Sequence, residues 1–97
     1  MKKINFTWND IKAKSNLIKH KISFEEAKTV FDDDYARLIN DPDHSEDEDR
    51  FILLGFSGKS KILTVVHCHR DDEYNIRIIS ARKSTKSEIK QYKEYIL

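Results

Sequence analysis

Apolar and polar residues alternate through Ile4-Asn5-Phe6-Thr7-Trp8, the period of a short half-buried strand. Asn9 then offers an N-cap for a helix over about Asp10 to Lys19, with the Asp10 carboxylate at the positive end of the helix dipole. Ile11 and Ile18, seven apart, share one face of that helix, with Leu17 and Ser15 nearby. Ser23-Phe-Glu-Glu26 reads as a capping box, in which serine and Glu26 satisfy each other's backbone N–H groups. The helix it opens carries Phe24, Ala27, Val30 and Phe31 on an apolar face. Asp32-Asp33-Asp34 ends it, because acids are unfavourable at the negative end of a helix.

Four strands are predicted next: Tyr35 to Asn40, Arg50 to Phe56, Lys61 to His67 and Tyr74 to Ser80. Asp41-Pro42-Asp43-His44-Ser45, Ser57-Gly58-Lys59-Ser60 and Arg70-Asp71-Asp72-Glu73 supply the turns between them. Connections this short imply an antiparallel meander. Ile62 to Val66 and Ile76, Ile78, Ile79 are apolar on both alternating faces, which makes those two strands central, with Tyr35 to Asn40 at an edge. Thr85-Lys-Ser-Glu88 is a second capping box, opening a helix with Ile89, Tyr92 and Ile96 on one stripe. The order β-α-α-β-β-β-β-α describes an α+β fold in which helices pack on a twisted antiparallel sheet. No repeat or linker divides the chain, so residues 1–97 are read as a single domain.

Composition narrows the class. Hydrophobic residues make up 38% and charged residues 36%, too apolar for a disordered tail and too charged for a membrane protein. No apolar run approaches the ~20 residues of a membrane span. The N-terminus has no apolar h-region, and the single cysteine, Cys68, allows no internal disulfide. A cytoplasmic protein without membrane association is expected. The net charge of +1 hides an asymmetry: nine acids and one base between Asp32 and Asp49 give that stretch −8, leaving +9 on the rest. A basic surface attracts phosphate, while the acidic stretch can repel it, fill a basic groove or simply be a solvated loop.

No P-loop, dinucleotide fingerprint, nucleophile elbow or zincin motif is present. His67-Cys68-His69 has metal-ligand residue types, but strand alternation turns Cys68 away from the two histidines, so no metal site and no cofactor are expected. The cations stand out instead. Arg50 opens a strand, Arg77 lies within one, and Arg82-Lys83 follows Ile78-Ile-Ser-Ala81. Regular alternation would put Arg77, Ile79 and Ala81 on one face, and Ile78, Ser80 and Arg82 on the other. An arginine inside an apolar strand either pairs with a carboxylate or reaches a groove that holds anions. At Arg82 a phosphate would also meet the backbone N–H groups at the start of the last helix. RNA cleavage needs little more: a 2′-hydroxyl loses its proton, the phosphorane is neutralised, and the 5′-oxygen is protonated. Arginines supply charge, and His67 has the residue type of a general acid or base. His20 and His44 are possible substitutes, although His20 near a helix C-terminus also serves as a cap.

These residues form a string of motifs in order along nearly the whole chain. They are Phe6-x-Trp8-Asn9-x-x-Lys12, Asn16-x-x-Lys19-His20-x-Ile22-x-Phe24-x-Glu26-Ala27, and Val30-Phe31-Asp32. Asp41-Pro42-Asp43-His44-Ser45-Glu46, Arg50-Phe51, Gly55, Val65-Val66-His67 and Arg77-Ile78-Ile79-Ser80-Ala81-Arg82-Lys83 complete them. In this the chain resembles the BrnT toxins of type II toxin–antitoxin systems, small ribonucleases with a RelE-like fold. The resemblance implies a metal-independent endoribonuclease that cleaves RNA and inhibits translation. It also implies a BrnA-like antitoxin that neutralises the toxin and alone brings it to operator DNA. Arg50 and Arg82 are then the first choices for phosphate contact and His67 and Arg77 the next, with Lys83 and Lys86 as further RNA contacts. Two positions depart from the pattern: Lys21 stands where glycine commonly ends the helix with positive φ, and Ser84 where a small apolar residue is frequent. The alternative reading is a non-catalytic module that uses the same basic face to bind nucleic acid or protein, in which case RNA is held but not cut.

Overall fold

A computed structural model describes residues 3–40 and 50–96, the last two by backbone alone. The elements are β1 (Asn5–Thr7), α1 (Asp10–His20), α2 (Phe24–Thr29), β2 (Arg37–Asn40), β3 (Phe51–Phe56), β4 (Ile62–Arg70), β5 (Asp72–Lys83) and α3 (Lys86–Ile96). A 3₁₀ turn over Val30–Asp32 follows α2, so the helix stops before the three acids rather than at them. The strands form one sheet in the order β1-β5-β4-β3-β2, with β2 at an edge as predicted. The meander from β2 to β5 is antiparallel, but β1 joins β5 in parallel, so the sheet is mixed and not wholly antiparallel. A parallel partner needs a long crossover, and here α1, α2 and three strands intervene between β1 and β5.

Local signals account for the helix ends. Asn9 Oδ1 accepts from Lys12 N–H at 3.0 Å, as its capping position requires. Lys21 closes α1 in the left-handed region at φ 62°, a conformation that favours glycine. Ser23 caps α2 through Glu26 N–H, but the Glu26 carboxylate does not reach back to complete the box. It is buried instead, accepting from Ser57 Oγ at 2.8 Å with Lys61 Nζ at 3.7 Å, which ties α2 to the β3–β4 turn. The second box is complete: Thr85 Oγ1 accepts from Glu88 N–H and Glu88 Oε1 accepts from Thr85 N–H.

Alternation divides the sheet into two faces. Leu53, Leu63, Val65, Ile78 and Ala81 point to the first, where Ile22, Phe24, Ala27 and Val30 cover them to form the core. Full burial of each valine, leucine or isoleucine among them contributes about 2 kcal/mol. The outer side of α1 departs from expectation. Ile11 and Ile18 are 79% and 75% exposed, while Ala13, Asn16 and His20 face inward. What holds α1 is largely the buried Asn16 amide. It donates to the carbonyls of Ile22 and Ala81 and accepts from Ala81 N–H at 3.1 Å, occupying the edge of β5 beyond the end of β1.

The second face is crossed at one end by α3. Tyr92 is buried there against Phe56 and donates to Asp33 Oδ2 at 2.7 Å. Asp33 also accepts from the N–H groups of Tyr35 and Phe56, and these bonds together hold its carboxyl below the usual range although burial opposes them. Burial, then the Asp33 charge, pushes the Tyr92 phenol up to about 12. Gly55 makes this approach possible: an added Cβ would lie 3.0 Å from Asp33 Oδ2 and from Val30 Cγ1.

Candidate nucleic-acid interface

Cross-strand register assembles the second face row by row. Arg37, Leu54, Thr64 and Arg82 form one row, and Ile39, Ile52, Val66 and Ser80 the next. Cys68, Arg77 and Thr7 form a third. Alternation from Phe51 and from Cys68 adds Arg50 and Arg70 to the same side. Register thus puts Arg37, Arg77 and Arg82 on the face turned away from α1 and α2, and alternation extends that set to Arg50 and Arg70.

A bulge decides this arrangement. Val66 opposes Ser80 and His67 opposes Ile78, so Ile79 is an extra residue in β5. Without it Arg77 and Arg82 would face opposite ways, as regular alternation predicts. With it they share a face, separated on the neighbouring strand by the step from Thr64 to Cys68, about 13 Å of backbone.

Arg82 is held firmly. Its two terminal nitrogens donate to Glu88 Oε1 at 2.7 Å and Oε2 at 3.0 Å, a bidentate fork. The Thr64 hydroxyl donates to Glu88 Oε1 as well, at 3.0 Å. Burial raises the Glu88 pKa, but the Arg82 fork, Thr85 N–H and Thr64 together bring it down to about 2. The same fork raises the Arg82 pKa. The Arg82 side chain is 40% exposed, and the fork uses two of its five donors.

His67 stands apart from the arginines with which the sequence reading grouped it. Its ring points to the first face, 1% exposed, between Phe31 at 5.0 Å and Phe51 at 6.0 Å. Burial lowers its pKa from 6.5 to about 4, with the Val65 carbonyl opposing and His69 reinforcing the shift. The imidazole thus lies across the sheet from the guanidinium groups. Lys83 pairs with Leu63 and so also belongs by register to the first face, exposed at the end of β5, and Lys86 is exposed at the start of α3. His20 lies half-buried on α1, and His44 falls outside the described residues. Among the described residues no three His, Cys, Asp or Glu side chains gather as a metal would require, and no helix is long and apolar enough to cross a membrane.

Arg37, Arg70 and the pairing role of Glu88 escaped the sequence reading. Arg37 stands in a predicted strand, whereas Arg70 belongs to a predicted turn that β4 and β5 instead narrow to Asp71. The Glu88 fork was concealed because its capping box already explained that residue.

No curated protein sequence matches the chain. Its fold is similar to the crystal structure of the Brucella abortus ribonuclease toxin BrnT, with a TM-score of 0.63 and 16% sequence identity over 86% of this chain and 99% of that one. The sequence model of the BrnT family, described as ribonuclease toxins of type II toxin–antitoxin systems, matches residues 8–88. With most of its length covered by that match, the chain belongs to the BrnT family of ribonuclease toxins of type II toxin–antitoxin systems.

Proposed function

We propose that the chain is a metal-independent endoribonuclease that cuts single-stranded RNA on its arginine face and thereby inhibits translation. Membership of the family implies an antitoxin partner. In this reading the partner is BrnA-like, neutralises the toxin, and alone carries it to operator DNA in the cytoplasm. The observation that supports RNA cleavage is the placement by register of Arg37, Arg77 and Arg82 on one sheet face, which alternation extends to Arg50 and Arg70. Arg50, Arg77 and Arg82 bind the scissile phosphate and its neighbours, and Glu88 is a positioning residue that fixes Arg82. The 2′-hydroxyl gives its proton to water and its oxygen attacks phosphorus. The guanidinium groups neutralise the growing charge of the phosphorane. The P–O5′ bond breaks and the 5′-oxygen takes a proton from water, leaving a 2′,3′-cyclic phosphate and a 5′-hydroxyl. Lys83 and Lys86 serve as outer contacts to the strand beyond this face.

The test is cleavage of single-stranded RNA by the purified protein in the presence of EDTA. Cyclic-phosphate ends are expected, with no cleavage where the ribose at the cut is 2′-deoxy. Loss of activity to the chelator would overturn metal independence, and cutting at a deoxyribose would overturn the 2′-hydroxyl route. Tight RNA binding without fragments would favour the non-catalytic module.

A further inference from the structure

On the edge of β5, beside the face just described, lies a notch of about 200 Å³ lined by Lys12, Ser15, Asn16, Lys19 and His20 of α1 and by Ile79 and Ser80 of the bulge. None of these residues is acidic. Asn16 forms its floor, with its amide already engaged by the Ile22 and Ala81 backbone. Lys12 and Lys19 are both exposed and lie seven residues apart on one helix face, about 10 Å along the axis. Ser80 connects the two sites: by register it lies between Arg77 and Arg82 on the arginine face, and it also lines the notch.

We infer that the notch is a second phosphate-binding subsite, which takes the backbone of a single-stranded RNA as it leaves the arginine face over the β5 edge. This inference rests on the proposed ribonuclease reading and extends it, since it makes the preferred substrate an RNA longer than the scissile dinucleotide. Continuity with the arginine face at Ser80 favours RNA over an acidic protein segment as the occupant. Two lysines bind phosphate by charge without reading bases, so the subsite lengthens the footprint without imposing sequence.

The test compares the wild-type protein with Lys12→Ala/Lys19→Ala, substitutions at exposed positions where alanine suits a helix. On a long single-stranded RNA made uncleavable by 2′-O-methyl ribose, the double variant should bind about tenfold more weakly, and the salt dependence of binding should fall by about 1.4, at 0.7 per lost phosphate contact. KM for long RNA should rise with kcat unchanged, cleavage of a dinucleotide should be unaffected, and Lys12→Arg/Lys19→Arg should restore affinity. Unchanged affinity and salt slope in a folded variant, with the wild type still cutting RNA, would overturn the subsite and leave the ribonuclease reading intact. Loss of antitoxin binding with RNA binding retained would overturn it too, assigning the notch to protein. A wild type that neither binds nor cuts RNA would remove both.

Discussion

Arg77 and Arg82 share one face of β5 although they lie an odd five positions apart, because the bulge at Ile79 absorbs one residue of the alternation. The relationship gives the arginine face its length and is invisible to period-two reasoning. Removing either guanidinium should lower RNA cleavage by at least about tenfold, or ~1.4 kcal/mol of transition-state stabilisation. Single-turnover assays of Arg77→Ala and Arg82→Ala check this, with circular dichroism confirming the fold. Undiminished cleavage by one folded variant would remove that residue from the site.

Glu88 orients Arg82 through two hydrogen bonds, and a lysine at position 82 cannot form that planar fork. Arg82→Lys should therefore resemble Arg82→Ala in cleavage more than it resembles the wild type. Full activity in the lysine variant would show that position 82 supplies charge alone.

Acid should weaken the fold in two stages. His67 titrates at about 4 in the folded protein against 6.5 when free. Below pH 6.5 the unfolded chain takes up a proton that the folded protein refuses, so stability present above that value is lost as the pH falls towards 4, by up to about 3 kcal/mol. Glu88, held at about 2 against 4.5, adds a second loss between those two values. Urea unfolding across this range checks both stages. His67→Leu, which keeps an apolar side chain against Phe31 and Phe51, should remove the first stage and spare the second. If that variant folds but no longer cuts RNA, His67 belongs to the chemistry after all.

Lys21 bears a left-handed backbone without the freedom of glycine. Lys21→Gly should raise stability by about 1 kcal/mol, seen as a higher urea midpoint at constant slope.

At Gly55 the reverse holds. The Cβ of Gly55→Ala would press on Asp33 Oδ2, Val30 Cγ1 and the Ala36 Cβ at 3.0 to 3.1 Å. Val30 belongs to the core and Ala36 packs against it, so the strain should cost about 1–3 kcal/mol and loosen the Asp33–Tyr92 bond that docks α3. Thermal unfolding compared with the wild type measures it; an unchanged midpoint would mean that the 3₁₀ turn moves aside freely.

Much of the fold was legible in the chain because its signals are local. Asn9, Ser23 and Thr85 each cap the helix they precede, and alternation separates edge β2 from central β4. The charge balance and the ordered motifs from Phe6 to Lys83 pointed to phosphate chemistry before any contact was known. The tertiary structure decided what depends on residues far apart. Ile11 and Ile18 had the spacing of a buried stripe, yet α1 turns them outward, because Asn16 has bound the free edge of β5 and so set the rotation of the helix. His67 had the right residue type for catalysis, but strand parity places it under Phe31. Arg77 joined Arg82 only through a bulge that no pattern in β5 announces. Caps and periodicity act over one turn or one pleat, whereas helix rotation, register and the side of a sheet are set by partners as distant as Asn16 and Ala81, which meet only when the chain has folded.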